Sequence, residues 1–307
     1  MKHERVLITG ISGFIGSNLA GKLLKAGAEV HGVIRAQTDP KKLKQVDTQV
    51  HLHTYDGTYR SMSEIIESAQ PEICFHLASK FVALHQAQDV DSLAESNLTF
   101  GLHLAEALSR HKSASPRVNF INTGTAWQHA ESHTYYPVSL YAATKQAFED
   151  VLAYYWRHHS FNIIHLKLYD TYGPFDPRKK LVSLLLERSQ NQIPLHMTEG
   201  RQLIDLVHVD DVTDAFLLAA DLLLKQDPGN QPSFLSYAIS SGSPLQVREL
   251  VQTIEAVSQK QIPIVWGASP YRPIEMFTPW VFSEPVPGWK PKVQLQAGIS
   301  QMIRLEK

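Results

Sequence analysis

One stretch near the start limits what this chain can fold into: Val6-Leu7-Ile8-Thr9-Gly10-Ile11-Ser12-Gly13-Phe14-Ile15-Gly16. An apolar run ends at Gly10, glycines recur at three-residue intervals, and apolar residues then repeat at helical spacing to Leu24. This predicts a strand, a tight turn and a helix N-terminus. Backbone N–H groups in such a turn can approach a pyrophosphate, and the helix dipole favours negative charge there. The spacing alone does not separate a dinucleotide site from another glycine-rich strand–helix turn.

Apolar runs and helical repeats then alternate. Strands are expected at 29–34, 50–55, 72–78, 117–123 and 161–168, and helices at 61–69, 91–110 and 140–158. The fold class is therefore α/β, a doubly wound parallel sheet of the Rossmann type. Short, uninterrupted apolar strands fit a sheet covered on both faces. Beyond Tyr172-Gly173-Pro174 the pattern loosens. A helix is expected at 181–189, and a strand at 203–209 that Asp210-Asp211 caps into a helix from Val212 to Leu224. A strand at 235–239, a helix at 246–257 and a strand at 262–266 follow, then a tail rich in Pro and aromatic residues. Residues 1–170 plus about 202–226 are expected to form the dinucleotide-binding domain. About 171–201 and 227–307 would form a smaller, discontinuous α/β C-terminal lobe for substrate, with the active site in the cleft.

Composition narrows the partners. A net charge of −1 over 307 residues offers no basic field for nucleic acid or an anionic membrane. The 15 histidines are scattered, and the adjacent pair His158-His159 lacks a third ligand nearby, so no metal is expected. The single cysteine, Cys74, lies in an apolar run and reads as a buried, inert thiol. The first five residues lead into the first strand without a signal-peptide pattern, and no run is long enough to span a bilayer. A cytoplasmic protein is expected.

Two further signals carry chemistry. Tyr141 and Lys145 lie four apart and share a helix face. A nearby ammonium favours the phenolate, and such a Tyr can pass a proton to or from a carbonyl or hydroxyl oxygen. Thr123 closes the preceding strand, where an α/β sheet delivers residues to its ligand crevice. Taken singly, each has an ordinary reading: a chance helical pair, and a hydroxyl satisfying a strand end.

Taken in order, Gly10-x-x-Gly13-x-x-Gly16, His76-Leu77-Ala78-Ser79, Thr123, Tyr141-x-x-x-Lys145, Tyr172-Gly173-Pro174 and Val207-His208-Val209-Asp210-Asp211-Val212 resemble the extended short-chain dehydrogenase/reductase family, in its nucleotide-sugar-modifying branch. Asn122 to His129, Leu140 to Asp150 and Asp170 to Pro174 are similar to the CDP-abequose and CDP-paratose synthase group. The resemblance implies that Gly10, Ser12, Gly13, Phe14, Ile15 and Gly16 surround a cofactor pyrophosphate. Asp56, with Gly57, meets the adenine, and Leu77, Ala78, Ser79 and Lys80 line the cofactor. Asn97 supports the active-site strand, and Tyr169 lies beside the nicotinamide. Thr123, Tyr141 and Lys145 match the catalytic Ser/Thr, Tyr and Lys, the last two also touching cofactor. Substrate would meet Lys80, Thr123, Gly124, Thr125, Gln128, His129, Asp170, Arg178, Lys179, Arg201 and Arg272, with Lys180 a further candidate for its diphosphate. The helices near 91–110 and 140–158 resemble those of a homodimer interface.

Four departures sharpen the expectation. Arg35 replaces the acidic residue that binds a ribose 2′-hydroxyl, and a guanidinium suits the 2′-phosphate of NADP. Thr123-Gly124-Thr125 lacks the Asp-Glu pair with which related dehydratases remove water. Asp170 stands where the branch has a phosphate-binding Asn, and Ile204 where it has an Arg. The expected activity is NADP(H)-dependent reduction of the C4 ketone of a nucleotide-linked deoxyhexose in deoxysugar biosynthesis. The alternatives are a nucleotide-sugar epimerase holding NAD tightly and a non-catalytic cofactor sensor on the same fold.

Overall fold

The computed structural model describes residues 2–44, 46–111, 117–227, 229–281 and 283–305. β1 (Arg5–Thr9) runs into the glycine turn and α1 (Phe14–Lys25). β2 (Glu29–Arg35), the short α2 (Pro40–Leu43), β3 (His51–Tyr55), α3 (Tyr59–Ala69) and β4 (Ile73–His76) follow. A long helical stretch then contains α4 (Val90–Ala94), a wide π turn over Glu95–Thr99 and α5 (Phe100–Arg110). β5 (Val118–Thr125), α6 (Leu140–His158) and β6 (Phe161–Leu168) complete this half. The later elements are β7 (Asp170–Tyr172), α7 (Leu181–Asn191), β8 (Leu195–His196), β9 (Leu203–Ile204), β10 (Leu206–His208) and α8 (Val209–Leu224). Last come β11 (Phe234–Ile239), β12 (Leu245–Gln246), α9 (Val247–Ser258), β13 (Ile264–Val265) and α10 (Leu295–Leu305).

Seven strands form one parallel sheet in the order β11-β6-β5-β4-β1-β2-β3. Successive strand side chains point to opposite faces, and two cores result. Val6, Ile8, Ile73 and Phe75 face one cluster with Leu19, Leu23 and Phe216 of α1 and α8. Leu7, Cys74 and Phe120 face the other, with Met62 of α3, Leu104 of α5 and Phe148 of α6. Burial accounts for the near-continuous apolar runs and pushes the Cys74 thiol above its ordinary range. A third cluster, with Leu185, Leu250, Ile254, Ile299 and Met302, unites α7, α9 and α10 in a smaller lobe.

The structure corrects several boundaries. The strand assigned to the C-terminal lobe, β11, pairs parallel to β6 and forms an edge of the large sheet. Its register joins Phe234 to Ile163 and Ile239 to Leu168, and Ala238 and Ile239 are buried, so the large core recruits it. The helix expected from Val212 begins at Val209, because His208 Nδ1 accepts from the Asp210 N–H at 3.2 Å and acts as the N-cap. Asp211 instead accepts from the backbone of Lys292 and Val293 at 3.0 and 2.9 Å, pinning the tail. The strand expected at 203–209 breaks at Asp205, whose carboxylate is bonded by Ser240 Oγ and Ser241 N at 2.5 and 2.8 Å. No helix among the described residues is long and apolar enough to cross a membrane.

Burial holds His31, His53, His76, His165 and His208 below the ordinary imidazole value of 6.5. The unfolded chain therefore binds more protons than the folded one as pH falls below that value, and stability drops with it. Thermal unfolding followed from about pH 8 to about pH 5.5 should show the midpoint falling once pH passes below the unfolded histidine value. A midpoint that stays level across that range would contradict the buried neutral histidines.

Candidate active site

The glycine turn works through close approach. Gly10 adopts φ +71°, and a Cβ there would lie 2.7 Å from Ala78 N and from the Leu77 carbonyl carbon. A Cβ on Gly16 would collide with the Gly10 carbonyl. The turn can thus lie flat against the end of β4 only without side chains. Gly13 caps α1 with no side-chain acceptor, and the first turn carries no acidic residue. The first N–H groups of α1 are left without a side-chain acceptor, the arrangement that suits an anion.

A line of hydrogen bonds ties this turn to the Tyr141 helix. Thr9 Oγ1 accepts from Ala78 N at 3.2 Å and pairs with His76 Nδ1 at 2.9 Å. Asn97, buried in the π turn, accepts from Lys80 N at 2.8 Å and Ser79 Oγ at 3.2 Å. Its amide donates to Lys80 O at 3.1 Å and Thr144 Oγ1 at 2.9 Å. Thr144 in turn donates to the Tyr141 carbonyl at 2.7 Å. Ser139 caps α6 on the Ala142 N–H, so the start of this helix is held from two sides.

Tyr141 packs edge-on against Phe81 with ring centroids 5.0 Å apart. Burial pushes its phenol up to about 12, with a Ser79 hydrogen bond and Arg178 acting in the opposite direction. The sequence led us to expect a phenol lowered by Lys145. Here desolvation dominates, and the phenol stays protonated at neutral pH. Lys145 is buried, and burial lowers it to about 8. Thr123 Oγ1 is buried without a hydrogen-bond partner among the described residues. A buried hydroxyl with no protein partner is uncommon and singles out the carboxyl end of β5.

A cleft of about 200 Å³ is lined by Trp127, Tyr169, Asp170, Ile204 and Arg272. Arg272 lines this cleft and, with Lys180, the adjoining one; these two and Arg178 are each clamped by a carboxylate and laid over an aromatic ring. Arg178 donates to both Asp176 oxygens at 2.7 Å and lies 4.8 Å from the Phe14 centroid. Lys180 is 3.1 Å from Asp170 and 5.3 Å from the Phe81 centroid. Arg272 donates to Glu275 at 3.0 and 2.7 Å over Trp127. Lys180 therefore answers the Asp170 charge that the sequence left unexplained.

Other expected site residues are placed differently. Gln128 is fully buried: its carbonyl accepts from Thr125 N, and its amide donates to Gln146 and Glu149. It does not face the cleft. His129 is bonded at both ring nitrogens and stacked on Trp280 at 4.2 Å, so it supports the wall behind. Thr125 spends its hydroxyl on a cap to Trp127 N. The Lys80 ammonium is held by Asp89 and Ser92. Arg201 is an exposed residue paired with Glu199 at 2.9 Å, and Lys179 is exposed at φ +48°. Asp56 accepts from the Thr58 N–H and hydroxyl, which holds its carboxyl below the usual range and orders the entry to α3 next to Gly57. Arg35 ends β2 exposed, with no ion pair to its guanidinium among the described residues. Tyr169 lines the cleft and donates to the Trp280 carbonyl.

Residues 6–231 match the model of the NAD dependent epimerase/dehydratase family. The chain belongs to that family. Curated relatives include the CDP-abequose synthase of Salmonella typhimurium, 23% identical over 98% of each chain. The CDP-abequose synthase of Yersinia pseudotuberculosis is 26% identical over 90% of this chain and 91% of its own length. Among solved structures, the fold is similar to UDP-glucose 4-epimerase from Thermotoga maritima with UDP-glucose (TM-score 0.82, 24% identity, 98% of each chain). It is also similar to the Thermus thermophilus UDP-glucose 4-epimerase complex with NAD (TM-score 0.81, 24% identity, 98% of each chain).

Within this epimerase/dehydratase frame, the sequence reading missed Phe81, Glu275, Glu149 and Lys167. Two signals were available: the i, i+3 charge pair Arg272/Glu275 inside an otherwise aromatic tail, and Glu149 one helical turn beyond Lys145. Asn97→Ala removes the bridge between the β4 loop and α6. It should cost about 1–3 kcal/mol and raise the dissociation constant for a nicotinamide dinucleotide. Denaturant unfolding and fluorescence titration check both, and unchanged values would contradict the bridge.

Proposed function

We propose that this protein reduces the C4 ketone of a nucleotide-linked 4-keto-6-deoxy or 3,6-dideoxy hexose with NADPH. The observations that carry the reading are the Tyr141 phenol, held protonated, and the orphan hydroxyl of Thr123 in a segment, Thr123-Gly124-Thr125, with no carboxylate to take a proton. Reduction needs a proton delivered to oxygen, and dehydration needs an acid–base pair that this segment lacks. The CDP-abequose synthase relatives support a deoxysugar substrate.

The residues fit a dinucleotide. The uncapped N-terminus of α1 and the bare glycine turn would take the pyrophosphate, with Ser12, Phe14 and Ile15 at the turn. Arg35 would meet a 2′-phosphate, and Lys145 the ribose hydroxyls. When bound, the nicotinamide supplies the hydride that reduces the ketone carbon. Tyr141 gives its proton to the carbonyl oxygen as the alcohol forms, and the Thr123 hydroxyl donates to that oxygen, stabilising charge where it develops. Arg178, Lys180 and Arg272 would turn from their carboxylates toward the diphosphate. A homodimer through α5 and α6 would cover Leu102 and Tyr154, which are 40% and 54% exposed.

A second reading, a 4-epimerase retaining NAD, is favoured by the solved relatives crystallised with UDP-sugar or NAD. Loss of NADPH absorbance with a panel of nucleotide-linked 4-keto sugars tests the first. No oxidation, together with stoichiometric NAD carried through purification, would favour the second.

Tyr141→Phe should lower kcat by roughly 10²–10⁴-fold with little change in NADPH binding, and near-normal turnover would remove Tyr141 from the chemistry. Arg35→Ser should weaken NADPH roughly 10–100-fold and leave NADH unaffected, as loss of a charge-assisted hydrogen bond requires. Parallel titrations with the two cofactors measure this, and equal weakening of both would assign Arg35 no part in selection.

A further inference from the structure

Behind Tyr141 and Lys145, between α6 and the strands β5 and β6, lies a buried polar set that the chemistry above does not use. Glu149, Lys167, His165 and Gln128 are all buried. Glu149 follows Lys145 by one helical turn and so lies on the same helix face. Its Oε2 is 3.4 Å from Lys167 Nζ, and its Oε1 accepts from Gln128 Nε2 at 3.0 Å. Lys167 Nζ also donates to His129 Nε2 at 2.6 Å. With Nε2 accepting, His129 is neutral and its Nδ1–H faces the Thr134 carbonyl at 3.3 Å. The imidazole lies flat on Trp280, interplanar angle 14°, next to Pro279 in the cleft wall. Gly124 makes room for this set: a Cβ there would fall 2.8 Å from Glu149 Oε1 and 2.9 Å from Gln128 Oε1.

A buried ion pair is weak evidence of added stability, because a well-packed apolar pair of the same size often does as well. What distinguishes this one is its neighbour. Burial and then the Lys145 charge lower His76 of β4, and burial, Lys167 and Lys145 lower His165 of β6, so neither imidazole offers Lys145 a counter-charge. Tyr141 and Glu149 flank Lys145 along α6, and Lys167 stands beyond Glu149. Glu149 is the one carboxylate acting on the Lys145 ammonium among the described residues.

We propose that Glu149, one helical turn beyond Lys145 on the same face of α6, is a positioning residue that keeps the buried Lys145 ammonium charged. Lys167, Gln128 and the Trp280-backed His129 hold Glu149 to that task. The proposal rests on the assignment of Lys145 to the cofactor. Burial lowers Lys145 and Glu149 opposes that fall. Burial works to raise Glu149, but the Lys167 ammonium and the hydrogen bonds from Gln128 and Lys167 act the other way, and its carboxyl lies below the ordinary value.

The test reads cofactor binding rather than turnover. NADPH fluorescence titrations are run from about pH 6.5 to about pH 9.5. Wild-type affinity should fall as pH rises past about 8, where Lys145 loses its proton. Glu149→Gln should move that fall to lower pH by about one unit, and Glu149→Asp should restore most of it. An unmoved midpoint in Glu149→Gln overturns the proposal, as does an equal shift in Glu149→Asp, which would mark a packing effect. If the single variant fails to fold because Lys167 loses its counter-charge, the Glu149→Gln/Lys167→Met pair is titrated instead, with the same direction expected. Failure to oxidise NADPH with any keto sugar would overturn the reductase reading alone and leave this readout intact.

Discussion

The contact between Gly10 and the end of β4 is the constraint on which the rest of the site depends. Because Gly10 has no side chain, the backbone of Leu77 and Ala78 lies directly against the turn. The loop leaving β4 then begins at one fixed height, where Asn97 can grip Ser79 and Lys80 with one end of its amide and Thr144 with the other. The glycine turn and the start of the Tyr141 helix are therefore parts of one braced object. An error in the first propagates to the second through this line of hydrogen bonds.

The sheet was legible because its signals are local. A parallel strand buried on both faces must read as an apolar run, and the glycine spacing leaves few alternatives for the backbone of residues 10–16. Tyr141, Lys145 and Thr123 were legible as an ordered set. The orientation of side chains was not. Gln128 and His129 follow Thr123 closely, yet they point into the wall, because Glu149 and Lys167 offer partners that only the folded chain brings together. The phenol shows the same limit. A Tyr and a Lys four apart suggest attraction of charge, whereas burial of the ring sets the balance in the structure. β11 was assigned to the wrong lobe because its partner, β6, lies some seventy residues earlier in the chain and no periodicity announces a pairing across that gap.

The cations near the cleft are neutralised within the protein itself. Each cation is kept by its own carboxylate and supported by an aromatic face, so none faces low-dielectric surroundings alone. The diphosphate proposed above would have to displace a carboxylate to gain a cation, so its gain from charge would be modest and its recognition would fall more heavily on shape and on the apolar residues Trp127, Ile204 and Leu181 of the lining.

The position of β11 has a consequence for how the polypeptide acquires its structure. During synthesis the ribosome must release residues up to Ile239 before the large sheet can close, and by then most of the smaller lobe's first half has emerged. Until that moment β6 presents an open row of backbone donors and acceptors, the kind of edge that recruits strands from other molecules. The two lobes are thus interleaved in time as well as in space. The nascent chain's most exposed interval is the passage through α7 and α8, when a chaperone would find the most to protect.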